Sequence, residues 1–181
     1  MERILSHTGS YRKLIAYRKA EIIYDLTFYF CKKYLSRGDR TIDQMVQAAR
    51  SGKQNIIEAT EAGMTSSETL LKLMNVARAS LQELLADYED YLRVRNLRLW
   101  DNESAEVKAM RELGRQHDDS EYFMTLAQSR NDEVVANIAI VLIHQADLLI
   151  YRYIAKFYDE FIKNGGFREH LTKVRTTYRS K

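Results

Sequence analysis

Hydrophobic positions recur at alternating intervals of four and three residues in three successive segments of the chain. A repeat of 3.5 residues keeps one seam of a helix against its neighbours, so the pattern predicts a left-handed bundle of long helices. The 181 residues include no proline and only seven glycines, which favours an all-α protein over a sheet protein. The three series are Ala16-Ala20-Ile23-Thr27-Phe30-Tyr34, Ile42-Met45-Ala49-Gly52-Ile56-Ala59 and Leu70-Met74-Ala77-Leu81-Leu84-Tyr88-Tyr91.

Turn and capping signals divide this pattern into long helices. Gly38 lies in the first predicted turn, and Gly63 lies in the second. Thr41 and Thr65 each stand three residues before a Gln or Glu, a spacing typical of a helix N-terminus. We therefore predict an antiparallel up-and-down four-helix bundle within residues 1–163, with long helices over 11–35, 41–60, 65–98 and from 129 or 131 to 163.

Two segments lie outside the four long helices. Residues 99–128 are predicted to form a short helical excursion between the third and fourth long helices, and Gly114 is expected to end its first helix. Residues 164–181 form a basic tail, with a weak helix predicted over 168–178. A basic tail on a nearly neutral body suggests an anionic partner, although a solubilising terminus would have the same composition.

The fourth long helix is apolar on all sides over residues 134–151. A helix of this kind must be buried on more than one side. Either the excursion or a second subunit could cover it, and we favour the second because apolar residues continue beyond the reach of a short cover. The sequence therefore predicts a homo-oligomer whose interface contains Ile150, Ile154, Phe157 and Phe161.

Composition also indicates the compartment. Cys31 is the single cysteine and is expected to be a buried thiol in a reducing environment. Residues 1–10 lack the continuous apolar segment of a signal peptide. The most apolar stretch, 134–151, is interrupted by polar side chains that are costly in a bilayer. We expect a cytoplasmic protein with no membrane association.

Three local patterns occur in order along the chain. They are Tyr17-x-x-Ala20 with Ile23-Tyr24-x-Leu26-Thr27-x-x-Phe30; Asp43-Gln44-x-x-x-Ala48-Ala49-Arg50-Ser51-x-x-x-Asn55-Ile56-x-Glu58; and Ala77-x-x-Ser80-Leu81-x-Glu83-Leu84. Together they resemble the four-helix-bundle family of the 23S rRNA intervening-sequence proteins, which includes the accessory variability determinant of diversity-generating retroelements. Ala59 and Ala79 stand where the family usually has glycine, and the excursion and tail exceed its usual length.

The resemblance implies a small antiparallel bundle that assembles as a ring, typically a pentamer, without a catalytic site or a cofactor. In the retroelement branch, such rings are similar to basic barrels that bind a reverse transcriptase and its template RNA. The implied partners are therefore further copies of the chain, RNA and a reverse transcriptase.

Polar residues of the second helix have two interpretations. Arg50, Asn55 and Glu58 carry the family pattern and could form a patch that contacts a ligand. They could equally form a hydrogen-bond network that sets helix register, with Asn55 bridging toward the first helix, and we favour this structural role. Arg50 is the residue most expected to reach solvent, and with Lys53 it is a candidate RNA contact.

The other candidate cations differ in whether acidic residues nearby in the sequence could pair with them. Arg12, Arg18 and Lys19 are expected to pair with Glu21 and Asp25 along the first helix. The tail has few local acids and combines arginines with a tyrosine, a composition suited to phosphate contact and base stacking. The candidate RNA-binding residues of the tail are Arg168, Lys173, Arg175, Tyr178, Arg179 and Lys181.

Enzymatic function is weakly indicated. The chain lacks a phosphate-binding glycine loop and a nucleophile–base pattern. Arg111 and His117 have the Arg-x5-His spacing of the HEPN ribonucleases, but Glu112 and Gly114 fit that motif poorly. His117, Asp118 and Asp119 are adjacent, and adjacent residues rarely converge on one metal ion. The leading hypothesis is a non-enzymatic, ring-forming RNA-binding accessory protein, followed by a protein–protein adaptor and then a ribonuclease.

Overall fold

The computed structural model describes residues 11–63, 65–164, 172 and 175–176. Within these residues every regular element is helical and no strand occurs, which confirms the all-α prediction. A short 3₁₀ turn, Tyr11–Lys13, precedes six α-helices. They are α1 (Ile15–Tyr34), α2 (Thr41–Ala62), α3 (Ser67–Val94), α4 (Ala105–Gln116), α5 (Ser120–Gln128) and α6 (Asp132–Asn164).

Each of the four longest helices packs against two others: α1 and α3 each contact both α2 and α6. The contacts between α3 and α6 run in opposite chain directions. Arg78 near the start of α3 pairs with Asp147 of α6 at 2.7 Å, whereas Tyr91 near the end of α3 donates to Asp132 at the start of α6. These two helices are therefore antiparallel.

The pairs formed by α1 and α2 and by α2 and α3 are antiparallel as well. Cys31 Sγ near the end of α1 lies 3.9 Å from Met45 Sδ near the start of α2. Further along α2, the Lys53 ammonium lies 4.3 Å from the centroid of the Tyr24 ring, earlier in α1. On the other side of α2, a Cβ added at Gly52 would lie 2.7 Å from Leu81 Cδ2 of α3. The absence of a side chain at Gly52 lets these two helices approach closely.

Aromatic rings fill the centre of the core. Tyr88 is completely buried, and its ring centroid lies 5.1 Å from that of Phe30. Its hydroxyl donates to Thr27 Oγ1 at 3.0 Å, and Thr27 in turn donates to the Ile23 carbonyl at 2.7 Å. Burying a large side chain of this kind stabilises the fold by about 1.5–3 kcal/mol, provided that its polar atom is satisfied.

Asn55 takes part in a hydrogen-bond network between helices, but toward a different helix from the one expected. The Asn55 side-chain nitrogen donates to the Ser51 carbonyl at 2.9 Å and to Ser51 Oγ at 3.1 Å. Ser51 Oγ lies 2.9 Å from Ser80 Oγ of α3. The network therefore joins α2 to α3, and the expected bridge toward α1 is wrong.

Several predicted helix ends are displaced. α3 ends at Val94 instead of 98, where Asn96 adopts a φ of 56° and Leu97 N–H donates to the Leu92 carbonyl. Ser66, not Thr65, caps the start of α3 by accepting from Thr69 N–H. Gly114 does not end α4 but lies buried inside it. Capping patterns locate a terminus only to within one or two residues.

The apolar surface of α6 is covered largely by the chain itself. Val135, Ala139, Leu142 and Ile143 are fully buried, and α6 packs against α1, α3 and α4. The excursion thus supplies part of the cover of α6 through α4. By length and composition alone, Asp132–Glu160 could cross a membrane, but 61% of its most apolar stretch is buried in the structure.

Candidate nucleic-acid interface

A cleft of about 610 Å³ opens between α1, α4 and α6, beside the C-terminal end of α4. The residues that line it include four cations, one imidazole and a single carboxylate, together with exposed apolar surface. The lining residues are Ile15, Lys19, Arg111, Gly114, Arg115, Gln116, Asp118, His144, Gln145, Leu148, Leu149 and Arg152.

Lys19 joins α1 to the end of α4. Its side chain is almost completely buried, and Nζ donates to the backbone carbonyls of Gly114 and His117 at 3.3 Å. Burial lowers the pKa of Lys19, and the nearby Asp118 carboxylate partly opposes this effect. A cation is favoured at this place because the last carbonyls of a helix lack intrahelical donors and carry partial negative charge. The expected pairing of Lys19 with Glu21 or Asp25 is wrong.

Gly114 allows α4 and α6 to approach at the floor of the cleft. A Cβ at this position would lie 2.1 Å from Oε1 of Gln145. The Gln145 amide is held there because its Nε2 donates to the Arg111 carbonyl at 2.8 Å. Its Oε1 is buried and, among the described residues, has no hydrogen-bond donor.

The arginines around the cleft differ in how strongly they are engaged. Arg115 pairs with Glu112 at 2.6 Å, and Arg111 makes two long hydrogen bonds of 3.3 Å to Asn102. In the part of the chain that the structure describes, Arg152 has no hydrogen bond or ion pair, and it is exposed.

The one carboxylate of the cleft is already neutralised. Asp118 forms an ion pair with Arg18. Nearby, the hydroxyl of Ser120, the first residue of α5, donates a hydrogen bond to the Asp25 carboxylate of α1. Among the lining cations, Arg115 is paired with Glu112. Lys19, Arg111 and Arg152 form no ion pair within the described residues, so the field at the opening attracts anions.

Apolar and aromatic surface adjoins these cations. Ile15 and Leu148 in the cleft are 57% and 46% exposed. Tyr151, next to Arg152 in sequence, is 55% exposed, and the Arg78 guanidinium lies 5.6 Å from the centroid of its ring. A ligand with both flat apolar parts and negative charges would match this surface.

Of the RNA-contact residues predicted from sequence, those that the structure describes do not line the cleft. Arg50 is exposed on α2, and Lys53 is half-buried over the Tyr24 ring. Arg175 is helical and exposed. The other tail candidates, which lie outside the described residues, are Arg168, Lys173, Tyr178, Arg179 and Lys181.

The predicted oligomer interface needs one correction. Ile150 has no exposed surface because it belongs to the core of its own chain, so it is not available to a second subunit. Ile154 and Phe157 are half-buried against the same core. The side chain of Phe161 lies outside the described part of the structure.

Arg111 and His117 are not brought together in the cleft. Arg111 lines it, whereas His117 is not a lining residue and stacks on Tyr122 with a centroid separation of 3.6 Å. Within the described residues, no group of three or more His, Cys, Asp or Glu side chains could hold a metal ion.

Sequence reasoning missed Arg115, His144 and Arg152. A signal was present, since Arg111 and Arg115 are four residues apart on α4, and His144, Leu148 and Arg152 follow at the same spacing on α6. Residues four apart lie on one face of a helix, but the sequence did not show that these two faces meet.

Comparisons of the chain with protein-family models, with curated proteins and with solved structures find no match. The functional argument therefore depends on the chemistry of the cleft.

Proposed function

We propose that this chain is a non-enzymatic, cytoplasmic accessory protein that binds RNA through the cleft between α1, α4 and α6. In this proposal α1, α2, α3 and α6 form an antiparallel up-and-down bundle, and α4 and α5 form the excursion that builds one wall of the cleft. The observation that carries the proposal is the excess of positive charge at one opening, where Arg111 and Arg152 have no carboxylate partner among the described residues, while Arg115 and the lining carboxylate Asp118 are already paired.

Single-stranded RNA fits this surface better than a small anion does. Its phosphates repeat along the chain and can contact cations from two helices, Arg111 and Arg115 on α4 and Arg152 on α6. Its bases present flat faces that can stack on Tyr151, and such stacking contributes about 1–3 kcal/mol per base. A helical RNA would not expose base faces in this way.

Binding of a labelled single-stranded RNA, followed by fluorescence anisotropy over a range of salt concentrations, tests the proposal. Arg152→Gln and Arg111→Gln should each weaken binding. Each phosphate contact that is lost should reduce the slope of log affinity against log salt by about 0.7. Arg37→Gln is the matched control, because Arg37 is an exposed arginine in the turn after α1, at the opposite end of that helix from the cleft. Arg50→Gln reports separately on the surface of α2.

If the cleft variants bind RNA as the parent does, and Arg50→Gln does not, the interface lies on α2 and the cleft proposal is wrong. If the parent itself shows no RNA binding at low salt, the adaptor hypothesis replaces the RNA-binding one. RNA cleavage by the parent that is lost in Arg111→Ala/His117→Ala would favour a ribonuclease instead.

Self-assembly is part of the proposal, with a pentamer implied by the family resemblance. Ile154 and Phe157 keep part of their surface exposed, and an apolar surface of this kind can pack against another copy. Light scattering at micromolar concentration should give a mass several times 21.2 kDa. If the measured mass corresponds to a single chain at all concentrations, the protein does not assemble into a ring.

A reverse transcriptase is the proposed protein partner on the strength of the same resemblance. Co-purification of the two proteins, with and without ribonuclease treatment, would show whether they associate and whether RNA mediates the contact. Association that survives ribonuclease would indicate a direct protein interface.

A further inference from the structure

The outer face of α6 carries an uncovered line of apolar residues beyond the end of α4. Tyr151, Ala155, Tyr158 and Ile162 follow one another at intervals of four, three and four residues, so they lie along one side of the helix. Tyr151, Tyr158 and Ile162 are 55%, 52% and 68% exposed, and Ala155 is exposed as well. A continuous exposed stripe of this kind usually marks a surface that packs against something.

The sequence that follows α6 has a stripe with the same spacing. After Gly165 and Gly166, the apolar residues of the tail are Phe167, Leu171, Val174 and Tyr178, again at intervals of four, three and four. Thr172, Arg175 and Thr176 are helical in the structure. A 2.9 Å hydrogen bond from Thr176 Oγ1 to the Thr172 carbonyl spans one helical turn. The tail therefore has the sequence of a short amphipathic helix.

We propose that residues 167–178 fold back as a helix and pack antiparallel on the exposed line of α6 in their own chain. The two stripes are symmetric about the junction between Asn164 and Gly165. An antiparallel hairpin therefore places each apolar residue of one stripe opposite one of the other. The pairs are Ile162 with Phe167, Tyr158 with Leu171, Ala155 with Val174, and Tyr151 with Tyr178.

The turn that this hairpin needs is short and has suitable residues. Lys163 and Asn164 are the last two residues of α6. In the docked state they would unwind and join Gly165 and Gly166 in a connection of four residues, a common length between antiparallel helices. Glycine adopts the backbone angles that such turns require without steric cost.

The charges that flank the two stripes act in opposite directions. In an antiparallel helix pair, flanking positions of the same type face each other, and this brings Arg168 next to Asp159. Asp159 is exposed on α6, and in the described part of the chain no cation pairs with it, so this contact favours the docking. The same rule places Arg175 beside Arg152, a like-charge contact that opposes it. Docked Tyr178 would cover Tyr151, so the tail and a base stacked on Tyr151 would compete for that ring.

The tail of the same chain is favoured over a second copy by its effective concentration. A segment tethered by a short flexible linker is present at millimolar effective concentration at its site. A second copy at micromolar concentration would have to bind roughly a thousandfold more tightly to displace it.

Disulfide cross-linking in the full-length protein tests the register. Ala155→Cys/Val174→Cys joins two positions that the hairpin places opposite each other, within the range that a disulfide can span. Ala155→Cys/Lys173→Cys is the matched control, because position 173 lies on the opposite side of the predicted helix. The native Cys31 is buried and can be left in place.

Mass spectrometry and non-reducing electrophoresis should show a cross-link within one chain that forms about tenfold faster for 155/174 than for 155/173, since cross-linking follows the population of the docked state. Equal rates for the two pairs would overturn the proposal. Cross-linking between two chains in dilute solution would also overturn it and assign the stripe to a second copy.

Hydrogen exchange provides a second test without introduced cysteines. Tyr158→Asp should increase amide exchange in residues 171–178 by about tenfold, because it places a charge in the apolar contact. Lys156→Asp is the control, since Lys156 is exposed on α6 away from the stripe. Exchange in α2 and α3 should stay unchanged in both variants. A tail that exchanges at the same rate in parent and Tyr158→Asp would contradict the docking.

Discussion

Lys19 of α1 donates hydrogen bonds from its buried ammonium to the Gly114 carbonyl in the last turn of α4. The same ammonium reaches the carbonyl of His117, the residue that follows α4, and lies 5.5 Å from the centroid of the Phe123 ring in α5. One side chain thus attaches both short helices to the first long helix. The position of the wall of the cleft depends on this attachment.

Lys19→Met should weaken the attachment of α4 and α5 to α1. Methionine keeps the apolar stem but leaves two buried carbonyls without a donor, which costs about 1–3 kcal/mol, and relief of the buried charge offsets part of this cost. We expect a lower free energy of unfolding in urea and faster hydrogen exchange over residues 105–128. Lys13→Met, at an exposed position just before α1, is the control. Unchanged exchange in α4 and α5 would show that Lys19 does not hold them.

Gly114→Ala should change the free energy of unfolding in opposite directions in the parent and in a Gln145→Ala variant. In the parent, the new methyl forces Gln145 away and breaks its bond to the Arg111 carbonyl, a loss of about 1 kcal/mol. This loss cancels or exceeds the gain of up to about 1 kcal/mol from replacing glycine by alanine in a helix. In a Gln145→Ala background the clash is absent, so the same change should stabilise the protein. Urea unfolding of the four proteins of this cycle measures the coupling, and additive effects would contradict the contact.

Tyr17 should make stability depend on pH in the alkaline range. Burial, followed by the hydrogen bond that its hydroxyl donates to Glu21 at 2.8 Å, raises the pKa of Tyr17 to about 12. An unfolded tyrosine ionises near pH 10, so the unfolded state loses its proton first. The stabilisation from Tyr17 is therefore complete below about pH 10 and is lost as the pH rises toward 12.

The difference in unfolding free energy between the parent and Tyr17→Phe isolates this effect from the other tyrosines. That difference should shrink by about 1–2 kcal/mol between pH 9 and pH 12. Phe28→Leu, at an exposed residue without an ionisable group, should show a constant difference from the parent over the same range. A constant difference for Tyr17→Phe would mean that its hydroxyl titrates normally.

Cys31 should be inert in the folded protein. Its side chain is 2% exposed, and burial, with smaller effects from Asp39 and Asp87, raises the pKa of its thiol to about 12. Because the thiolate is the reactive form, a thiol reagent at neutral pH should label Cys31 only after unfolding. Lys156→Cys, at an exposed position of α6 away from the stripe, adds a thiol for comparison and should be labelled at once. Rapid labelling of Cys31 in the parent would contradict the closed core.

The helices themselves could be predicted from sequence because their cause is local. The apolar spacing of Phe30, Met74 and Tyr88 places each on a buried face, and all three are buried as expected. Burial of Cys31 was predicted correctly for the same reason. Helix ends were less certain, as the displaced end at Val94 shows, because several nearby residues can supply a cap and only packing selects among them.

The cleft could not be predicted, because its residues come from helices far apart in the chain. Arg111 lies on α4 and Arg152 on α6, with the whole of α5 between them in the chain. The sequence of α4 or of α6 alone does not indicate that these two helices pack against each other. The partner of Lys19 was unpredictable for a related reason. Glu21 is close to Lys19 in sequence and carries the opposite charge, so it was the expected partner. In the folded protein, Lys19 instead donates to backbone carbonyls at the end of α4.

By itself the sequence determined the helical class and the face that each of the first three long helices buries, since both follow from the spacing of apolar residues along the chain. Only the tertiary structure decided which helix covers α6, where Gly114 meets Gln145 and which cations share one opening. The physical reason is that apolar burial is non-directional: a stripe must be covered, but its composition does not specify the neighbour that covers it.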